Sequence, residues 1–316
     1  VPGPVRRWLV TGARGQLGRC LVARLRAHPR HRLAAAPDRT SLDVTDRAAI
    51  RRAVLEQPGG PPDVVVNAAA MTQVDRCEAE PETARRTNAL APEWLAEAAR
   101  EARTVFVQIS TDYVFDGTAR RPYREEDPTR PRSVYGRTKL EGEQRVLAAC
   151  PEALVVRTAW LFGPGDNFVR RILEAAQRAL LGIGPPLRVV GDRRGSPTWA
   201  GHLADGLLVL VEGAARGVYH LAGSGSASWW ELARAAVDVW GHPELPIEKV
   251  ATAEFPRPAP RPAWSVLDSG RAERAGVHMP PWREGLRAYL GSEDSPIATR
   301  ARDGAPPSDA TTGDPA

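Results

Sequence analysis

Lysine is almost absent from this chain. Of 43 basic residues other than histidine, 41 are arginine, and the two lysines are Lys139 and Lys249. The arginines are spread along the sequence and form no nucleic-acid motif, so they read as a compositional habit and no nucleic-acid partner is expected. Cysteine is scarce too. Cys20, Cys77 and Cys150 are far apart and odd in number, with no CxxC or Cys/His ligand spacing. That excludes a disulfide framework and a structural zinc, and implies reduced thiols in a reducing compartment. The six histidines are scattered without an HxxxH pair, and no metal is expected. Long apolar runs are missing: "LADGLLVLVEG" is broken by Asp205 and Glu212 and is far below the ~18 residues of a spanning helix. "VPGPVRRWLVTG" has too short an apolar run for a signal peptide. The expectation is a cytoplasmic protein with no membrane partner.

What is present is an ordinary globular composition, 42% hydrophobic and 26% charged over 316 residues. Such a length supports two core-forming units. Net charge is +5. The last 26 residues hold five acids and two arginines, so the rest carries +8, which suits an anionic ligand such as a nucleotide.

Strand and helix patterns alternate. Strands are predicted at "VRRWLV", "HRLAAAPD", "PDVVVNAAA", "TVFVQIS" and "ALVVRTAW". Helices are predicted from Gln16, after a cap at Thr45 or Asp46, over about 82–102, through Tyr135, and over 167–181. This is the pattern of an α/β fold: a Rossmann-like doubly wound parallel sheet with a smaller C-terminal substrate-binding domain. The division expected is a dinucleotide-binding unit over 1–158, with 188–222 adding a late strand such as "GVYHLAG", and a substrate-binding unit over 159–290. Residues 291–316 lack periodicity and read as a disordered tail.

Gly12, Gly15 and Gly18 lie between the first strand and the first helix. Glycines there permit a tight turn and close approach of a pyrophosphate to the helix N-terminus. The spacing is GxxGxxG. Asp38 falls 20 residues after Gly18, at the end of the second strand, where a carboxylate can accept bonds from an adenosine ribose. Arg39 beside it can meet a 2′-phosphate. The two pull in opposite directions, so both NADPH and NADH are expected to serve, within about 30-fold.

The placement of the rare Lys139 is informative. It stands four residues after Tyr135, on one helical face. An exposed ion-pair helix would accept arginine equally well. A compact ammonium on a flexible stem has other uses. Thr111 follows "TVFVQIS", at the carboxyl end of a parallel strand. A ketone reduced by hydride needs a proton, and tyrosine can supply it if its pKa, ordinarily ~10, is lowered. A cation ~4 Å away at an effective dielectric of ~20 is worth ~4 kcal/mol, roughly three pK units. Lys139 is expected to do this and to donate to ribose hydroxyls.

These residues resemble the extended short-chain dehydrogenases, and more narrowly the dTDP-4-dehydrorhamnose reductase family. The matching stretches include "TGARGQLG", "DRTSLDVTD", "VVNAAAMTQVDRCE", "STDYVFDG", "VYGRTKLEGE", "RTAWLFGPGDNFV", "GDRRGSPTW" and "RPAWSVLD", in order across about 6–290. The resemblance implies reduction of the 4-keto group of a dTDP-6-deoxy-sugar by NADPH or NADH. It implies Thr111, Tyr135 and Lys139 as the catalytic set. Gly15, Gln16, Leu17, Asp38, Asp43, Val44, Ala70, Met71 and Thr72 match cofactor-contacting stretches, and Asp112, Tyr113 and Trp160 match substrate contacts. A homodimer is expected.

Three positions depart from the family pattern: Met71, where an aromatic residue or histidine is common; Arg132, where an apolar residue is usual; and His202, in place of an acid. They leave open which sugar is reduced, and a reductase resembling dihydrostreptose synthase is the nearest alternative. A non-catalytic regulatory subunit on the same scaffold, and an epimerase or dehydratase using Asp112 beside Thr111, are the other readings.

Overall fold

The structure, a computed structural model, describes residues 5–297. The first half of the chain supplies β1 (Arg6–Thr11), β2 (His31–Ala35), β3 (Val64–Asn67), β4 (Val105–Thr111) and β5 (Leu154–Thr158). Shorter strands follow: β6 (Leu161–Phe162), β7 (Leu187–Val190), β8 (Arg194–Gly195), β9 (Thr198–Trp199), β10 (Gly217–His220), β11 (Ala227–Ser228) and β12 (Ile247–Val250). The central sheet is parallel throughout, in the order β10-β5-β4-β3-β1-β2. Its last strand is the one expected from "GVYHLAG".

Both faces of this sheet are covered, which is why β3 is an unbroken apolar run before Asn67. The helices α1 (Gln16–Ala27), α2 (Arg47–Leu55), α3 (Val74–Ala79), α4 (Pro81–Arg85), α5 (Ala91–Glu101), α6 (Val134–Ala149), α7 (Phe168–Leu180) and α8 (Ala200–Glu212) do much of the covering. Trp8, Val10, Val64 and Val66 point to one face, packed with Leu21 of α1 and Leu203 and Leu207 of α8. Leu9 and Val65 point to the other, with Ile50 of α2 and Leu95 of α5. This is the two-residue alternation of a strand. A separate core gathers Ile172 of α7, Leu187 and Ile247 of the β7–β12 pair, and residues of α9 (Trp229–Val239) and α11 (Trp282–Leu290). Between those last two helices lies α10 (Gly270–Arg274).

Three local features go beyond the sequence expectations. The helix expected over about 82–102 is α4 and α5 joined by a π-helical turn, Arg86–Leu90. Pro92 has no N–H to give the Asn88 carbonyl, and its ring would press on that oxygen in a regular helix. The wider turn relieves this. The stretch "LADGLLVLVEG" lies mostly within α8, apolar on nearly every side because it is buried between neighbours. Of the expected tail, residues 291–297 are described: Ser295 is fully buried and Ile297 packs on the second core. Residues 298–316 lie outside the described residues.

Candidate active site

The carboxyl ends of the central strands open onto a cleft of about 1290 Å³. The ends of β1, β3 and β4 are tied together there. The Thr11 hydroxyl donates to Asn67 Oδ1 at 2.6 Å, and Asn67 Nδ2 donates to Gln108 Oε1 at 2.8 Å. Gly12 turns out of β1 with φ +66°, and a Cβ on it would lie 2.7 Å from the Ala68 carbonyl carbon. Gly18 does not line the cleft; a Cβ there would be 2.2 Å from the Gly12 oxygen, so it permits α1 to pack under the turn. At the N-terminus of α1, Gly15 offers no side-chain cap and the first turn holds no acid. Such an end leaves N–H groups and a partial positive charge for an anion, which fits a pyrophosphate.

Every other candidate cofactor residue, from Gly12 to Thr72, lines this cleft. Asp38, however, is already engaged. Its Oδ1 accepts from Thr40 N at 2.9 Å, Thr40 Oγ1 at 2.6 Å and Ser41 N at 3.1 Å. Its Oδ2 meets Arg14 Nε at 2.7 Å. The Thr40 and Ser41 bonds hold its pKa down to about 2. Asp43 is similarly occupied by the Thr45 N–H and hydroxyl, both at 2.8 Å. Arg14 and Arg39 are exposed at the same rim. The expected balance between Asp38 and Arg39 therefore tilts toward positive charge, through an arginine that sequence reasoning passed over.

Thr111 ends β4, and Ser133 caps α6 through its hydroxyl, accepting from Gly136 N at 3.1 Å. This cap sets the start of the helix that carries Tyr135 and Lys139. Tyr135 and Lys139 are both buried, and the Thr111 side chain is close enough to Tyr135 to act on its hydroxyl. Burial raises the Tyr135 pKa above its ordinary value, and the Thr111 contact opposes that. The expected lowering by Lys139 is not a feature of this geometry. The ammonium instead donates to the Ile109 carbonyl at 2.7 Å, and burial pushes its pKa down to about 8.

Asp112 sits beside them, 2% exposed. Its Oδ1 accepts from the Thr111 hydroxyl at 3.1 Å, while Oδ2 is buried with no hydrogen-bond partner among the described residues. Burial raises its pKa to about 6, against the opposing pull of the Ser265 and Thr111 hydroxyls. The Tyr113 ring meets Tyr135 edge-on at 5.4 Å. Trp160 adopts φ +45° and stacks on Trp229, centroids 3.6 Å apart and 6° from parallel. A Cβ on Gly195 would lie 2.2 Å from the Trp160 ring, so only glycine fits behind it. The far end of the cleft is basic, lined by Arg193, Arg257 and Arg261, with Arg261 paired to Asp75 at 2.7 Å.

Of the three departures from the family pattern, only Met71 lines the cleft. Its backbone N–H donates to Asn88 Oδ1 at 2.8 Å, and its carbonyl accepts from Asn88 Nδ2 at 3.0 Å. Asn88 belongs to the π-helical turn, and its own carbonyl lies so close to α6 that a Cβ on Gly142 would be 2.2 Å away. The turn made necessary by Pro92 thus braces the loop Ala70–Thr72 against the helix of Tyr135. Arg132 is exposed, and His202 packs edge-on against Trp199 at 4.6 Å.

Known proteins share the fold that builds this cleft. A family model described as the RmlD substrate binding domain matches residues 6–294. A Streptomyces antibioticus protein named as a probable dTDP-4,6-dihydroxy-2-methyloxan-3-one 4-ketoreductase is 45% identical, over 89% of this chain and 93% of its own. The dTDP-4-dehydrorhamnose reductase of Streptomyces griseus is 43% identical, over 94% and 98%. The crystal structure of dTDP-4-dehydrorhamnose reductase from Bacillus anthracis in complex with NADP superposes with a TM-score of 0.84 at 31% identity, over 90% and 99%.

Proposed function

Because the chain belongs to the family described as the RmlD substrate binding domain, we propose that it is an NAD(P)H-dependent oxidoreductase that reduces the 4-keto group of a dTDP-4-dehydro-6-deoxy-sugar. The substrate proposed is dTDP-4-dehydro-L-rhamnose, giving dTDP-L-rhamnose. The observation that carries this is the convergence on one cleft of Thr111, at the carboxyl end of β4, with the buried Tyr135 and, one helical turn on, the buried Lys139. The bound nicotinamide supplies hydride to the carbonyl carbon. Thr111, turning its one hydroxyl proton from Asp112 to the substrate, holds the carbonyl oxygen by hydrogen bond, and Tyr135 gives the developing alkoxide its proton. Lys139 has two N–H donors beyond the one spent on Ile109, and these serve the cofactor's ribose hydroxyls.

Gly12 and Gly15, with the uncapped first turn of α1 at Gln16 and Leu17, suit the pyrophosphate. Asp38, Arg39, Asp43 and Val44 line the adenosine end, and Ala70, Met71 and Thr72 the middle. With Asp38 held by Arg14, the reading favours NADPH over NADH. Asp112, Tyr113 and Trp160 form the sugar side. Arg193 and Arg261 suit the diphosphate.

The 45% identity to a relative named for a different 4-ketosugar favours a second reading, a related 4-ketoreductase of antibiotic-sugar synthesis. Incubation with dTDP-4-dehydro-6-deoxyglucose and NADPH, with and without a 3,5-epimerase, tests both. Formation of dTDP-rhamnose only with the epimerase supports the first, and turnover without it supports the second. No net NADPH oxidation refutes both and leaves the epimerase, dehydratase or regulatory readings.

The two-unit division at residue 158 is supported by the separate core of α7, α9 and α11. A cytoplasmic location is supported by three free, buried cysteines, and among the described residues no helix is long and apolar enough to cross a membrane. A homodimer is supported by the exposed Leu181 and Ile183; its check is a light-scattering mass of twice the 34.2 kDa chain.

A further inference from the structure

Behind the reacting groups lies a buried polar cluster to which the proposed chemistry gives no part. Glu143 is 3% exposed and Arg157, on β5, 4% exposed. Glu143 follows Lys139 by one helical turn and Tyr135 by two, so all three share a face of α6. Both oxygens of Glu143 are taken. Arg157 Nε donates to Oε1 at 2.9 Å and Nη2 to Oε2 at 2.7 Å, and the Ser110 hydroxyl donates to Oε1 as well.

Arg157 is itself fixed in place. Its Nη1 donates to the Glu125 carbonyl at 3.3 Å and faces His220 Nε2 at 3.5 Å, and its guanidinium carbon lies 5.2 Å from the Phe115 ring centroid. His220 stays neutral, because burial and the Arg157 charge push its pKa down to about 3. These contacts hold Nη1, and leave Nε and Nη2 directed at Glu143.

Lys139 makes no ion pair among the described residues, though it is buried. A buried ammonium without a counter-charge is costly. Glu143 is the acid whose charge acts on it, and a flexible lysine stem reaches a carboxylate one turn along a helix. The bidentate grip of Arg157 removes that option.

We propose that Arg157 is a positioning residue: by occupying Glu143 it prevents Lys139 from pairing with that carboxylate, and so keeps the ammonium available to a cofactor hydroxyl at the cleft. This rests on the reading of Lys139 as a cofactor contact. A buried ion pair can be replaced by uncharged residues with little loss, whereas removing one partner strands the other. The opposing effects of those two changes give the test.

NADPH affinity is titrated by fluorescence for the full chain and for Arg157→Met, Glu143→Gln and the double variant, each with a thermal melt. In Arg157→Met, Lys139 turns to the freed Glu143, and affinity falls about tenfold, ~1.4 kcal/mol. In the double variant no carboxylate remains to capture the lysine, and affinity returns to within about threefold of wild type, ~0.7 kcal/mol. If Arg157→Met does not fold, Arg157→Gln, which keeps one N–H for Glu143, takes its place. Wild-type affinity in the folded single variant overturns the proposal, as does a loss that persists in the double variant. Lys139→Ala run alongside separates the two claims: unchanged NADPH binding there refutes the cofactor role of Lys139 itself.

Discussion

Replacing Asp112 by asparagine should change how stability depends on pH in a way that isolates one carboxyl group. The wild-type group is 2% exposed, has an oxygen without a partner, and titrates near pH 6 instead of the ordinary 3.8. A folded-state pKa raised above the unfolded one means the native state binds more protons between those values. The stabilising contribution is complete below about pH 3.8 and is lost as pH rises through about 6. At 1.36 kcal/mol per pK unit the loss is about 3 kcal/mol. Asparagine does not titrate, so the variant keeps the other groups and lacks this slope. Its unpaired amide costs about 1–3 kcal/mol at every pH, which shifts the whole curve without tilting it. Urea denaturation of both proteins at pH 4, 5, 6 and 7 should therefore show the variant gaining about 2 kcal/mol on wild type across the series, most of that total. A difference that is flat with pH would mean that Asp112 is solvated or fully paired in the native protein, and the burial argued for it beside Thr111 would be wrong.

The other predictions are simpler. Tyr135→Phe keeps the ring and removes the proton donor, so kcat should fall about 10²-fold or more with NADPH binding nearly unchanged; stopped-flow turnover and a cofactor titration check this. Arg14→Ala and Arg39→Ala should each lower the ratio of kcat/KM for NADPH to that for NADH by about tenfold, the value of one charge-assisted contact. Steady-state kinetics with both cofactors decide it, and an unmoved ratio would take the adenosine ribose away from this rim. Truncation after Leu290 should melt a few degrees below truncation after Ile297, because Ser295 is buried and Ile297 packs on the second core.

Much of this was legible wherever chemistry is local in sequence. The apolar β3 run, the glycine turn after β1 and the four-residue spacing of Tyr135 and Lys139 each have a short-range cause, and the fold and the proposed reacting groups follow from them. Contacts that arise only on folding were not legible. Arg14 looks like a loop residue until the turn brings it onto Asp38, and that contact changes the cofactor argument. Glu143 and Arg157 lie 14 residues apart on different elements and pair only because α6 packs over β5. The π-helical turn had a visible cause in Pro92, but its use, bracing the Met71 loop through Asn88, depends on where α6 passes. Trp229 lines the cleft stacked on Trp160, 69 positions earlier. The buried helix α8 shows no clean amphipathic stripe, because neighbours cover it on several sides.

The central claim is net hydride transfer to a sugar carbonyl. It is tested most directly by supplying NADPH deuterated at the transferring position, with dTDP-4-dehydro-6-deoxyglucose and a 3,5-epimerase, and locating the label by NMR. The account predicts one deuterium at C4 of the product for each NADPH consumed, with the rate lost in Tyr135→Phe. Product without deuterium at C4, or sugar conversion with no net consumption of NADPH, would contradict it.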